Sequence, residues 1–452
     1  MKDLEEVVDR DPRVGSAHLL IARLQALPDG DRGQAAESAR KVIDLLGDDP
    51  LRCAQASLVL AELEDDPDQR SARLDEAVEF APRDADVRRA RGMFRLAADQ
   101  FDAAREDLAV AAEEDPDDAS LHEALGMACL MADRLEDARG AFDRAIEIDP
   151  QSPGPLLQRA RVFALGSDSD QALADVGRVL ELVPHEPMAL VLRARIHQQS
   201  GDAEAALADL KEVLDDNPDM AAALELRGLI AAEQEDYALA IRDFRRLVGR
   251  NPQDPVLLGQ LGLFFLAAKQ PAEAIKRFTL ALEIDGDNFP CRRGRGDAAL
   301  SIGDHAAALQ DLEKAVSLKP DDPGALNNLA WLLATSPDEE IRDGRRAVEL
   351  AQKACEATEW KESHIISTLA AGHAENGDFQ SARKFSRQAV EAGHDEPGVQ
   401  EQLQSELASY EAGRPWRERQ GTEDGAGPQG GQPPAADAPE AERPPRRPFE
   451  DE

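Results

Sequence analysis

The sequence predicts an all-α protein, an α-solenoid of stacked antiparallel helix pairs, and three observations lead to that fold class. A turn signal recurs every 34 residues over most of the chain. Small and large apolar residues keep the same interval between the turns. Alanine, leucine, glutamate and arginine are abundant, and these side chains lose little rotamer freedom in a helix.

Prolines mark the turn at the end of each repeat. Proline ends a helix because it has no N–H to donate and restricts the residue before it. The interval is 34 residues, and the last step is twice 34, with Gly286 in the turn IDGDN at the missing place. The prolines are Pro82, Pro116, Pro150, Pro184, Pro218, Pro252 and Pro320.

Three further positions keep this register. Ten residues after each turn stands a small residue: Gly92, Gly126, Ala160, Ala194, Gly228, Gly262, Gly296 and Ala330. An alanine follows twelve residues later, from Ala104 to Ala308, and a larger apolar residue four beyond it, from Leu108 to Leu312. Small residues let two helices cross closely, and the residue four positions on lies on the same face. The pattern therefore predicts two packed helices per repeat.

These positions resemble the tetratricopeptide repeat family over residues 83–396. The closing stretch HIISTLAAGHAENGDF, with SELASYEAGRPWRERQ, looks like the last module of bacterial members. The resemblance implies a right-handed solenoid. The family's early aromatic position is held here by residues such as Arg88, His122 and Leu156, so several helix pairs are expected to pack less fully.

The register divides the chain into four segments. Residues 1–82 are predicted to form irregular or partial helical repeats, and 83–322 seven regular 34-residue units. Residues 323–420 are expected to hold two divergent units and a cap in which Tyr410 and Trp416 cover the last pair. Residues 421–452, rich in Pro, Gly and acidic residues, are predicted to be a disordered tail. Because residues 3–12 align with 311–320, we expect the protein to begin upstream.

The charge balance limits the partners. A net charge of −38 is repelled by phosphate backbones, so nucleic acid is not an expected partner. Self-repulsion favours a soluble monomer. No run of 18 apolar residues is present, so no membrane span is predicted. The first residues lack a signal peptide, which makes the cytoplasm the default in an otherwise unassigned compartment.

Catalytic and metal-site patterns are missing from the sequence. The eight histidines never stand at the i, i+4 spacing of a zinc-binding helix, and no P-loop or GxSxG is present. Acidic clusters such as Glu114–Asp118 lack calcium-loop spacing and are expected to be turns and N-caps. We therefore predict no enzyme activity, no cofactor and no metal.

The resemblance implies that the first helices of the repeats line a concave, partner-binding face. Arg161 and Arg195, in neighbouring repeats of a very acidic chain, are expected to select an acidic group on that partner. In the alternative, each pairs with a nearby carboxylate of its own chain, which contributes little at a surface. The candidate protein-binding residues are Arg89, Met93, Met127, Leu130, Leu157, Arg161, Arg195, Leu229, Leu263, Arg293 and Trp331.

Three functions fit these residues. The first is a non-catalytic scaffold or adaptor that binds protein or peptide segments, acidic ones included, in the concave groove. The second is the C-terminal regulatory or interaction half of a longer multidomain protein, whose N-terminal domain, an enzyme in one version, is missing here. The third is a structural spacer with no specific ligand.

Overall fold

The computed structural model describes residues 1–393 and 397–418, apart from the side chains of 397 and 398. Within these ranges the chain forms 24 helices and no strand, which confirms the all-α solenoid of helix pairs. None of the described helices is long and apolar enough to cross a membrane. The tail predicted for residues 421–452 lies outside the described residues. Two compact units make up the chain, Met1–Gly249 and Arg250–Glu452.

The first unit contains fourteen described helices and almost all of a fifteenth. They are α1 (Lys2–Arg10), α2 (Gly15–Gln25), α3 (Arg32–Leu45), α4 (Pro50–Leu63), α5 (Pro67–Phe80), α6 (Ala85–Ala97), α7 (Phe101–Glu114), α8 (Ala119–Met131), α9 (Leu135–Ile148), α10 (Pro153–Leu165), α11 (Ser169–Leu182), α12 (Pro187–Gln199), α13 (Ala203–Asp216), α14 (Ala221–Glu233) and α15 (Tyr237–Arg250).

The second unit contains the remaining nine described helices. They are α16 (Pro255–Ala267), α17 (Pro271–Ile284), α18 (Phe289–Ser301), α19 (His305–Leu318), α20 (Pro323–Thr335), α21 (Gly344–Ala357), α22 (Ser363–Glu375), α23 (Phe379–Ala392) and α24 (Pro397–Glu411). A longer connection, residues 336–343, joins α20 to α21, where the sequence has its insertion.

The turn inside each regular repeat is built in the same way. The first helix has 13 residues and the second 14, as in α6 and α7. Between them one residue takes a left-handed conformation, for example Asp99 at φ 57°. The N–H of Gln100 then returns to the carbonyl of Arg95 at 2.8 Å. This position recurs every 34 residues, and glycine, which has no Cβ to clash, holds it at Gly201 and Gly303.

The helix crossing follows the predicted register. A Cβ added at Gly126 would lie 2.5 Å from the ring of Phe142, sixteen residues on in the second helix. The same holds for Gly228 and Phe244, at 2.8 Å. Because the ring occupies the space that a side chain would need, the two backbones approach closely, as the small-residue pattern predicted.

The acidic turn residues act as caps, as expected. Asp118 is the N-cap of α8 and accepts a hydrogen bond from the backbone N–H of Ser120 at 2.8 Å. Asp254 is the N-cap of α16 and accepts a hydrogen bond from the backbone N–H of Val256 at 2.8 Å. Each satisfies a helix-terminal N–H that has no partner within the helix.

A buried ion pair, which the hydrophobic register does not predict, joins the two helices of five repeats. An arginine of the first helix meets an aspartate sixteen residues later, as where Arg193 Nε and Nη2 donate to the two oxygens of Asp209 at 2.8 and 2.7 Å. Two repeats have leucine at the arginine position, Leu125 and Leu261, and in both the residue sixteen positions later is not aspartate. The pairs are Arg91–Asp107, Arg159–Asp175, Arg193–Asp209, Arg227–Asp243 and Arg295–Asp311.

Candidate protein-binding groove

A groove between the first helices of two neighbouring repeats brings together three of the predicted residues. Leu157 and Arg161 stand one turn apart on α10, so they share a face, and Arg195 lies one repeat later on α12. The groove has a volume of about 410 Å³. Its lining residues are Leu157, Gln158, Arg161, Ala164, Leu165, Met188, Val191, Leu192, Arg195, Gln199 and Ala222.

The rim of this groove is apolar and exposed. Leu165 is 64% exposed and Met188 is 48% exposed, each at the end of its helix. Val191 forms the buried floor, and Leu157 is half-buried. Methionine adapts to irregular surfaces because its chain is unbranched and flexible. Apolar contact area is thus available to a partner here.

The two groove arginines carry charge that the chain itself does not neutralise. Both Arg161 and Arg195 are exposed. Arg161 Nη1 donates to Gln158 Oε1 at 2.8 Å, a bond to a neutral amide one helical turn away. Among the described residues neither arginine forms an ion pair. The alternative of pairing with a nearby carboxylate is therefore not what these residues do.

Two other predicted arginines are used within the fold. Arg89 pairs with Asp118 at 2.9 Å, and Arg293 pairs with Asp322 at 3.4 Å. The hydrogen bond from Ser120 is the largest influence that lowers the pKa of Asp118, and Arg89 adds to it. Both aspartates are N-caps of the next first helix. These arginines tie consecutive repeats together instead of facing a partner unpaired.

The predicted protein-binding residues of α6 and α8 differ in how exposed their side chains are. Met93 is 46% exposed and lines a separate pocket of about 330 Å³ with Leu58, Leu74 and Phe94. Met127 is half-buried. Leu130 is only 9% exposed and packs in the core with Phe142 and Val162, so little of its side chain is available to a partner, and its place on the binding face stays a prediction.

The remaining predicted residues lie outside the groove. Leu229 and Leu263 are half-buried on α14 and α16, and neither lines the groove. In the second unit, Trp331 is covered by the chain itself, because its indole Nε1 donates to Glu418 Oε2 at 3.2 Å.

One carboxyl occupies the same repeat position as the groove arginines. Asp297 is four repeats after Arg161, and burial raises its pKa to about 6. Asn328 Nδ2 donates to it at 2.6 Å. This repeat position therefore holds a basic residue, Arg161 or Arg195, in the first unit and an acidic residue, Asp297, in the second.

The described side chains do not form a reactive cluster. No group of three or more potential metal ligands occurs among them. Cys53, Cys129, Cys291 and Cys355 are buried and free. Burial raises the pKa of both Cys291 and Cys355 to about 11, so their thiols stay protonated near neutral pH.

Comparison with known families decides the class of protein. The family model described as tetratricopeptide repeat matches residues 89–153, 191–255 and 293–358. These ranges fall on the 34-residue register of helix pairs. The chain is a tetratricopeptide repeat protein. The bacterial type suggested by the closing module stays a prediction.

Individual relatives of this tetratricopeptide protein share parts of its length. The DnaJ homolog subfamily C member 3 of Gallus gallus is 37% identical over 78 residues, which are 17% of this chain and 16% of that one. A chain of the APC/C hetero-tetramer Cut9–Hcn1 is 18% identical with a TM-score of 0.43, over 70% of this chain and 62% of that one. YrrB, described as a tetratricopeptide protein with an unusual peptide-binding site, is 22% identical with a TM-score of 0.38, over 42% and 97%. The chain thus spans less than two thirds of the first two.

Membership in the family gives the coarse function. Tetratricopeptide repeats bind protein or peptide partners, and the proteins built from them are generally non-catalytic. The chain is accordingly a protein–protein interaction scaffold.

Proposed function

We propose that this scaffold binds an extended or helical protein segment in the groove between α10 and α12, and that the segment carries acidic side chains. The observation that supports this most is the placement of Arg161 and Arg195 beside exposed apolar residues with no carboxylate of their own. A groove of about 410 Å³ falls within the range of ordinary ligand sites.

The electrostatic part of the proposal concerns selection. The chain as a whole carries a net charge of −38 and repels acidic proteins at long range. Two exposed guanidinium groups without an ion pair add positive charge at the groove, so an acidic side chain of a partner is favoured there. Neighbouring packed helices are about 10 Å apart, so the two arginines fit two residues of a segment better than one carboxylate.

The apolar part of the proposal concerns affinity. Exposed ion pairs contribute at most about 1 kcal/mol each, so the charges alone do not hold a partner. Burial of Leu165 and Met188 removes apolar area from water and supplies the larger, less specific share. We therefore expect the bound segment to combine large apolar residues with acidic ones.

A peptide-display selection tests the proposal. Random 12-residue peptides are selected on the full chain and on Arg161→Ala/Arg195→Ala. The matched control is Arg144→Ala/Arg178→Ala, since these arginines are also one repeat apart, are 43% and 47% exposed in their side chains, and lie on the second helices α9 and α11. The net charge changes equally in both variants.

We expect wild type and control to enrich peptides with acidic and large apolar residues, and the groove variant to lose them. Equal enrichment on all three chains would show that the groove arginines are ordinary surface charges. No reproducible enrichment on wild type would favour the spacer function.

A further inference from the structure

The C-terminal segment of the described chain lies on the surface of α20 and α22. Beyond α24, residues 414–418 have no regular secondary structure. The backbone N–H of Glu418 donates to the carbonyl of Thr335 at 3.1 Å, and its side chain accepts from Trp331. Arg417 forms an ion pair with Glu375 at 2.6 Å. A non-helical stretch of chain therefore occupies a surface made by two first helices.

This segment begins where a firmly anchored helix ends. Tyr410 of α24 is fully buried, and Glu406 accepts a hydrogen bond from Ser367 inside the fold. Gly413, at φ 68°, follows directly. A left-handed glycine permits a sharp change in chain direction. Residues 414–418 can therefore detach from α20 and α22 while α24 stays packed, since the buried side chains of α24 fill the end of the core.

Release of the segment leaves no buried charge unpaired. Glu375 also pairs with Arg342 at 2.9 Å and keeps that partner. The indole N–H of Trp331 can donate to water. Burial raises the pKa of Glu418, which shows that its charged form is less well solvated in place than in water. Trp416 is the main apolar contact, packed half-buried against the core of the second unit.

Trp331 stands at the repeat position of the groove arginines. It lies five repeats after Arg161 and four after Arg195. In the second unit the residue at this position, Trp331, already donates a hydrogen bond to a carboxylate, that of Glu418. The contact between Trp331 and Glu418 is therefore an example, within this chain, of a first helix that binds a carboxylate.

We propose that residues 414–418 are a displaceable self-ligand, and that the surface formed by Trp331, Thr335 and Glu375 binds a partner segment of the same chemistry. That partner presents an aromatic, a basic and an acidic residue in succession, as Trp416, Arg417 and Glu418 do. This surface belongs to the second unit and does not depend on the groove between α10 and α12.

A competition experiment on the full chain tests this proposal. The probe is a fluorescent peptide with the sequence of residues 412–418, AGRPWRE, and its binding is followed by anisotropy. It is titrated into wild type, into Arg417→Ala/Glu418→Ala, in which the self-ligand is weakened, and into the control Arg414→Ala. Arg414 is exposed and precedes the three contact residues.

We expect the probe to bind the double variant at least about five-fold more tightly than wild type or the control, since an intramolecular competitor is lost. A probe ending in alanine, AGRPWRA, lacks the carboxylate that contacts Trp331 and should bind the double variant more weakly than AGRPWRE does. Equal affinity for wild type and the double variant, or no saturable binding to either, overturns the proposal.

Hydrogen exchange on wild type covers the case in which the double variant fails to fold. The amide of Glu418 should exchange at least about ten-fold faster than that of Tyr410, because the segment opens without α24. Equal exchange rates at the two amides would show that the segment is a fixed part of the cap and would also overturn the proposal.

Discussion

Helices α10 and α12 each carry two arginines only two residues apart, and the two have opposite surroundings. Arg159 and Arg193 turn towards the second helix of their repeat and bind Asp175 and Asp209. Arg161, in contrast, faces the groove and remains exposed without an ion pair among the described residues. Residues i and i+2 do not share a helical face. The helical face on which each of these arginines lies therefore decides whether it forms an ion pair within its repeat.

The paired arginines are committed to the fold. The hydrogen bond with Asp175 is the largest cause that raises the pKa of Arg159, and Asp143 adds a further ion pair at 2.7 Å. Such a pair contributes little net stability compared with apolar residues of the same shape, but breaking it leaves a buried charge alone. The groove arginines have no such constraint.

The largest effect is expected from breaking one buried pair. Arg193→Leu leaves Asp209, whose side chain is 10% exposed, without its partner, and should destabilise the first unit by about 3 kcal/mol. The double change Arg193→Leu/Asp209→Ala should recover to within about 1 kcal/mol of wild type, since both charges are removed. Leu125 and Ala141 already hold these positions in another repeat. Urea unfolding, with hydrogen exchange in α12 and α13, measures both; additive losses would contradict the pairing.

A smaller effect is expected from the two faces of another helix pair. Gly126→Ala places a Cβ 2.5 Å from Phe142 and should destabilise by about 1–2 kcal/mol even after the gain in helix propensity. At Gly140, also helical, a Cβ meets nothing within 4 Å. Gly140→Ala should therefore stabilise by about 0.5–1 kcal/mol. Melting temperatures that move in the same direction for both would disprove the assigned faces.

The smallest effect on stability is expected in the groove itself. Arg161→Ala/Arg195→Ala removes no ion pair and should change the free energy of unfolding by no more than about 0.5 kcal/mol. The same urea titration measures it. A loss comparable with that of Arg193→Leu would mean that the groove arginines belong to the fold after all.

The repeat interval made the fold predictable from the sequence. Which charged side chains pair with each other became clear only from the three-dimensional structure. Position in the register located the crossing of Gly126 and Phe142, because close helix packing tolerates few side chains. It also located the face of Arg161 and Leu157. Position in the register did not distinguish Arg89 from Arg161, since both arginines lie on first helices. Arg89 pairs with Asp118, whereas Arg161 is exposed and has no ion pair among the described residues.

Contacts from distant parts of the chain were likewise invisible in the sequence. Trp331 is bound by Glu418, 87 residues away, and no periodic pattern links them. The recurring arginine and aspartate did leave a signal in five repeats, nine and twenty-five residues after the turn, but these positions lie outside the apolar register. An arginine followed by an aspartate sixteen residues later is the sequence signal that marks these pairs.

Calorimetric titration of a display-selected acidic peptide tests the central claim most directly, because it compares the groove arginines with other exposed arginines by binding instead of stability. At low and high salt, the peptide should bind wild type and Arg144→Ala/Arg178→Ala alike, with affinity falling as salt rises. Arg161→Ala/Arg195→Ala should bind about ten-fold more weakly and show a flatter salt dependence. Unchanged affinity and salt dependence in that folded variant would contradict the account.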